Sequence, residues 1–125
     1  MQVKFSVYFC SEEGERFFGA GPCELLLAVE RLGSLRAAAQ HLGMAYTKAF
    51  SMVKRAEREF GFAMTQRTIG GKGGGGSTIT PQAQELLMRY QAYRTACGQS
   101  AQDLYNTYFS TFHPVRDLPP EKNRE

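Results

Sequence analysis

Apolar positions along the chain change period several times, and each change marks a predicted element. Over residues 2–9 the pattern alternates: Val3, Phe5, Val7 and Phe9 point one way, Lys4, Ser6 and Tyr8 the other. That period of two predicts a half-buried strand. Glu13-Gly14 is a turn signal, and Glu15 to Phe18 predicts the returning strand of a hairpin. Gly19, Gly21 and Pro22 break the alternation, and from Cys23 to Leu32 the residues Leu25, Leu26, Val29 and Leu32 recur at helical spacing. Gly33 predicts the end of that helix, and Ser34 the N-cap of the next.

Two short helices follow. Leu35, Ala38, Ala39 and Leu42 form the inner face of the first, which Gly43 stops. Ala49, Val53, Ala56 and Phe60 form the inner face of the second, and its opposite stripe carries Thr47, Ser51, Arg55 and Arg58, flanked by Lys48 and Lys54. Two helices so close in sequence need a small residue where they cross, which Ala39 supplies, and a tight turn, which Gly43 supplies. This is a helix-turn-helix pattern, although alanine-rich helical hairpins can imitate it.

The next segment extends the pattern. Met64 to Ile69 predicts a strand, Gly70 to Gly76 is nearly all glycine, and Ser77 to Thr80 predicts a returning strand. A hairpin directly after the second helix of a helix-turn-helix is a wing, and Lys72 puts a cation at its tip. Thr80 and Pro81 then suit the N-cap and first position of a long helix. Ala83, Tyr90, Cys97 and Leu104 recur every seven residues along it, with Leu86, Leu87, Tyr93, Ala101 and Tyr108 alongside. A second copy of the chain would cover so long a stripe, and Leu86, Leu87, Tyr90, Tyr93, Cys97 and Leu104 are the expected dimer contacts. A core helix of the same domain is the alternative. The expected fold is mainly α with small β. A winged helix-turn-helix with its N-terminal hairpin occupies 1–80, a dimerisation helix 81–112, and a Pro-rich, charged, disordered tail 113–125.

Composition narrows the function. The 125 residues carry a formal charge of only +3, but its distribution is uneven. Residues 1–30 hold two bases and five acids, whereas residues 31–76 hold eight bases and two acids, a local +6. Positive charge concentrated on the helix-turn-helix and wing points to a polyanion, double-stranded DNA first. No apolar run is long enough to span a membrane and no signal segment opens the chain, so a cytoplasmic location is expected. Cys10, Cys23 and Cys97 have neither disulfide-framework nor metal-site spacing. His41 and His113 lack partners that suggest a triad or metal site, so no enzyme activity and no cofactor or metal is expected. Gly71 to Gly76 formally satisfies a dinucleotide signature, but a strand and a proline follow where a helix is needed. The phosphate-loop form fails as well, since Gly73 follows Lys72 where a hydroxyl residue should stand.

Base reading in a major groove needs donors and acceptors on the first turns of an inserted helix. Tyr46, Thr47, Lys48, Ser51 and Arg55 fit, with Arg55 the best candidate for a bidentate contact to guanine. Lys48, Lys54 and Lys72 are expected at phosphates, Ser34 and Arg36 at the backbone beside the preceding helix, and Arg67 as a further DNA contact. A winged-helix module that binds another protein, with only residual DNA affinity, is the alternative. No small-molecule ligand is evident.

The run Gly33 to Ala39, then Leu42 to Tyr46, Lys48 to Phe50, and the glycines 70–76 ahead of Thr80-Pro81, resembles the ModE family of molybdate-responsive regulators. The likeness covers roughly residues 20–95, and its helix-turn-helix half is shared with LysR-type regulators. It implies a LysR-like winged helix-turn-helix that regulates transcription as a homodimer on a palindromic operator. Two positions depart from the family: Ala45 stands where a serine cap is usual, and Ile69 replaces a threonine before the glycines. Full-length members carry two C-terminal molybdate-binding repeats. None fits in this chain, so oxyanion sensing is not carried over.

Overall fold

The computed structural model describes residues 2–68, 76–113, 115 and 117–121. Eight elements follow in order: β1 (Phe9–Cys10), β2 (Arg16–Phe18), α1 (Ala20–Leu32), α2 (Leu35–His41), α3 (Tyr46–Phe60), β3 (Thr65–Thr68), β4 (Gly76–Ile79) and α4 (Pro81–Phe109). The fold is mainly helical with two small antiparallel hairpins, β1–β2 and β3–β4. It is a winged helix-turn-helix.

The helix boundaries follow local chemistry. Gly33 closes α1 at φ 84°, a left-handed conformation that costs glycine little. Ser34 Oγ then accepts the Ala37 N–H at 3.0 Å and starts α2. Gly43 also lies at positive φ, in the turn of the helix pair. As the sequence leads one to expect, α3 begins at Ala45 without a side-chain cap. Thr80 does two jobs at the start of α4: its Oγ accepts the Ala83 N–H at 3.1 Å and donates to the Ala63 carbonyl at 2.7 Å. That hydroxyl ties the entrance of the wing to its exit.

The core is small where helices cross and aromatic where the hairpin docks. Ala38, Ala39, Ala49 and Ala56 are buried, so α2 and α3 approach closely, and Leu25, Leu26 and Val29 of α1 cover them. On the other side Phe18 meets Tyr90 edge-on at 5.2 Å and Phe60 at 5.6 Å, while Phe9 stands 5.8 Å from Tyr90. Such tilted aromatic pairs add to the stability from burial alone.

The structure corrects two expectations. The N-terminal strand shrinks from residues 2–9 to Phe9–Cys10, leaving Val3 and Phe5 exposed. The physical reason is the partner: β2 has only three residues before α1 begins, so it offers no ladder for the earlier residues. The second correction concerns α4. Leu87 and Tyr90, expected at a dimer contact, are 3% and 1% exposed and belong to the domain's own core. The hairpin, not a second copy, covers the first turns of this helix. The helix also ends at Phe109 rather than at residue 112.

Tyr90 is the tightest of these ties. Its hydroxyl donates to the Val7 carbonyl at 2.6 Å, across 83 residues of sequence. Burial pushes the phenol above its ordinary value of 10.0, with Arg94 pulling the other way. A raised phenol contributes stability that is present below about pH 10 and lost as pH rises through its ionisation in the folded chain. Tyr90→Phe leaves the Val7 carbonyl unpaired and is expected to cost about 1 kcal/mol at neutral pH. Urea melts from about pH 7 to 11 check this: the variant should start lower and lose less on the alkaline limb.

Candidate nucleic-acid interface

The inner face of α3 is apolar and its outer face is polar and cationic. Ala49, Val53 and Ala56 are buried, whereas Thr47, Lys48, Ser51, Lys54 and Arg58 are exposed. The two acids of α3 differ in where they point. Glu57 turns inward, its Oε2 accepting the Met64 N–H at 2.8 Å and its Oε1 standing 3.3 Å from Lys54 Nζ. One acid thus serves the helix-to-wing corner rather than the outer face.

The flank of α3 nearest the wing builds a cleft of about 230 Å³ lined by Ser34, Arg36, Tyr46, Arg67, Gly76 and Ser77, with Leu35 beneath. The Arg36 guanidinium lies over the Tyr46 ring at 4.3 Å, a stacking contact that orients a long side chain without neutralising it. The cleft exists because two backbones meet there. The Ser77 N–H donates to the Gly33 carbonyl at 2.7 Å, holding the returning wing strand against the start of α2. Gly76 makes that approach possible: a Cβ there would run into the Gly33 carbonyl oxygen, closer than real Cβ atoms come.

Of the residues expected from sequence, the structure brings Ser34, Arg36, Tyr46 and Arg67 to one cleft, with Thr47, Lys48, Ser51 and Lys54 on the adjoining helix face. Ser34 spends its side chain on the cap of α2. Lys72 and Ile69 lie outside the described residues. Arg55 stands apart, on the flank facing the first hairpin, where its guanidinium pairs with Glu15. Sequence reasoning passed over Arg58 as a contact, yet it is exposed and forms no ion pair among the described residues. The signal was present: Arg58 lies seven residues after Ser51, two helical turns along the same stripe. Among the described residues no cluster of His, Cys, Asp and Glu could hold a metal ion, and no helix is long and apolar enough to cross a membrane.

Fold and cleft define a winged helix-turn-helix that gathers two guanidinium groups between α2, α3 and the wing strands. Residues 23–84 match the lysR family of bacterial regulatory helix-turn-helix proteins. Two curated relatives are similar to the chain. The molybdenum-pterin-binding protein MopB of Rhodobacter capsulatus is 35% identical over 59% of this chain and 27% of its own length. The molybdenum transport protein ModE of Herbaspirillum seropedicae is 38% identical over 58% of this chain and 25% of its own. The chain thus spans about a quarter of the length of these relatives. Among solved structures, the DNA-binding domain of CbnR in complex with DNA superposes with a TM-score of 0.54 at 17% identity, covering 70% of this chain and 94% of that one. The matching family is one of bacterial regulatory helix-turn-helix proteins, and the shared fold is the winged helix-turn-helix.

Gly76→Ala tests how much the cleft depends on the backbone junction. The added methyl must separate β4 from Gly33, and a cost of about 1–3 kcal/mol is expected, as for overpacking. A thermal melt with an amide-exchange comparison checks it: Ser77 should lose protection, while Tyr90 and the α4 core should not.

Proposed function

We propose that this protein is a transcriptional regulator that reads double-stranded DNA with α3, braced by the wing, as a homodimer on a palindromic operator. One observation carries the reading: Arg36, Tyr46 and Arg67 converge on a cleft continuous with the exposed polar face of α3. In this reading Thr47 and Ser51 face base edges, where a short hydroxyl can accept or donate. Lys48, Lys54, Arg58, Arg36 and Arg67 hold phosphates on either side and set the register. Ser34 acts indirectly, by fixing the first turn of α2 and its free N–H groups beside the duplex. Lys72 of the glycine-rich connection would add a further cation.

The dimer part rests on α4. Beyond the turns that the hairpin covers, Tyr93, Leu104 and Tyr108 are 54%, 57% and 74% exposed. A helix of 29 residues is about 43 Å long, far more than its own domain covers. A second α4 laid along Leu86, Tyr93, Cys97 and Leu104 would cover that stripe and place two reading helices on one duplex.

Selection of bound fragments from a random DNA pool, followed by gel shift, tests the reading. Retention of no sequence above random duplex would instead favour a module that binds another protein. Arg67→Ala should weaken binding alike on all sequences and reduce the slope of log K against log salt by about 0.9 per protomer. Ser51→Ala should cost about 1 kcal/mol on selected sites and almost nothing on random duplex. For the dimer, light scattering should give twice the monomer mass, and Leu104→Glu combined with Tyr93→Glu should return it to one. Circular dichroism of that variant should retain the helix signal, since neither side chain enters the core.

A further inference from the structure

We propose that Glu15 is an intramolecular competitor for DNA: its carboxylate holds Arg55 of the reading helix and keeps that cation from binding phosphates indiscriminately. The proposal rests on the reading of α3 as the DNA-contacting helix and adds a specificity determinant that no motif of the helix-turn-helix contains.

Glu15 is held in position. It sits in the β1–β2 turn, which is closed by three hydrogen bonds: Ser11 N–H to the Glu15 carbonyl at 2.8 Å, Gly14 N–H to the Ser11 carbonyl at 2.9 Å, and Glu15 N–H to Ser11 Oγ at 3.2 Å. Immediately after it Phe17 and Phe18 pack on Phe60, so the turn is anchored to the end of α3. The Arg55–Glu15 pair spans 40 residues, and both side chains remain open to solvent at 37% and 66%. Lys48, seven residues before Arg55, lies two turns away on the same flank and is exposed. Arg55 is therefore within reach of a duplex laid along α3, but one of its guanidinium nitrogens is already held by a carboxylate oxygen.

An exposed pair of this kind is worth little in stability. Its effect on binding is of another kind. A phosphate meeting Arg55 must compete with a carboxylate of the same charge, so random duplex gains little from that cation. A site that holds the O6 and N7 edge of guanine opposite Arg55 supplies two fixed acceptors where Glu15 makes one contact, and so recovers the cost. Glu15 thereby lowers background binding more than binding to the selected sequence.

The test uses the full chain and fluorescence anisotropy on two labelled duplexes, one of random sequence and one enriched from a random pool by the wild type. Glu15→Gln should raise affinity for random duplex about two- to fivefold at low salt. It should also steepen the slope of log K against log salt by about 0.9 per protomer. The selected duplex should gain less, so the specificity ratio falls. In an Arg55→Ala background Glu15→Gln should change neither affinity nor slope. Thermal melts of all three variants should match wild type, which separates the effect from folding. An effect that persists in the Arg55→Ala background would mean that Glu15 only repels phosphates, and would overturn the proposal. So would a wild-type protein that binds duplex with a slope Glu15→Gln leaves unchanged. Retention of duplex by no variant would remove the DNA reading itself, and the competitor with it.

Discussion

The hydrogen bond from the Ser77 N–H to the Gly33 carbonyl is the constraint on which the site depends. Gly33 is the left-handed C-cap of α1, and the next residue is the N-cap of α2. One peptide unit therefore ends a helix, starts another and anchors the return strand of the wing. The bond is possible only because Gly76 has no Cβ to meet the same oxygen. Through it, Arg67 on one strand and Arg36 on α2 come to line one cleft, though neither touches the other's element by local sequence. Interaction strength matters less here than position: a neutral backbone bond contributes about 1 kcal/mol, but it sets where two guanidiniums stand.

A second constraint determines the charge of the reading face. The crossing of α2 and α3 is made of alanines, which carry no bulk and lose no side-chain entropy on burial. Close packing keeps the narrow apolar stripe of α3 wholly inward, leaving more than half of the helix surface for polar groups. Glu57 then turns to the Met64 N–H and Lys54, and Glu15 takes Arg55 from the hairpin side. Both acids act on cations of the same helix, but at different places. Glu57 shapes the corner into the wing, whereas Glu15 stands at the flank of α3 that faces the first hairpin. The reading face is accordingly less positive than a count of its lysines and arginines suggests.

Local signals made much of the fold legible in sequence. Ser34, Gly33, Gly43, Thr80 and Pro81 mark their boundaries through chemistry confined to a few residues, and the structure bears each of them out. The convergence of Arg36, Tyr46 and Arg67 was legible only as far as each lay on its expected element. What periodicity could not reveal were contacts distant in sequence. The heptad stripe of α4 treats Tyr90 and Tyr93 alike, yet one is tied to Val7 and the other faces solvent. A helical wheel likewise places Arg55 beside Ser51 and says nothing of an acid 40 residues earlier. The alternation of residues 2–9 was a true strand pattern without a strand to pair with.

The point at which the α4 stripe changes role has a mechanical consequence. Up to Tyr90 the helix is part of the domain, strapped by Thr80 to Ala63 and by Tyr90 to the hairpin. Beyond Tyr90 it continues as the same unbroken helix, so its direction follows from the contacts at its base. The hydroxyl that starts α4 also closes the wing, and β4 is fixed by Gly33 to the start of α2. Any partner docked on the exposed half of α4 is thus oriented relative to α3 through a chain of two backbone junctions and one aromatic cluster. For the proposed dimer this removes most of the freedom between two reading helices, and the spacing of half-sites becomes a property of how α4 is seated. The aromatic cluster of Phe18, Phe60 and Tyr90 lies at that seat.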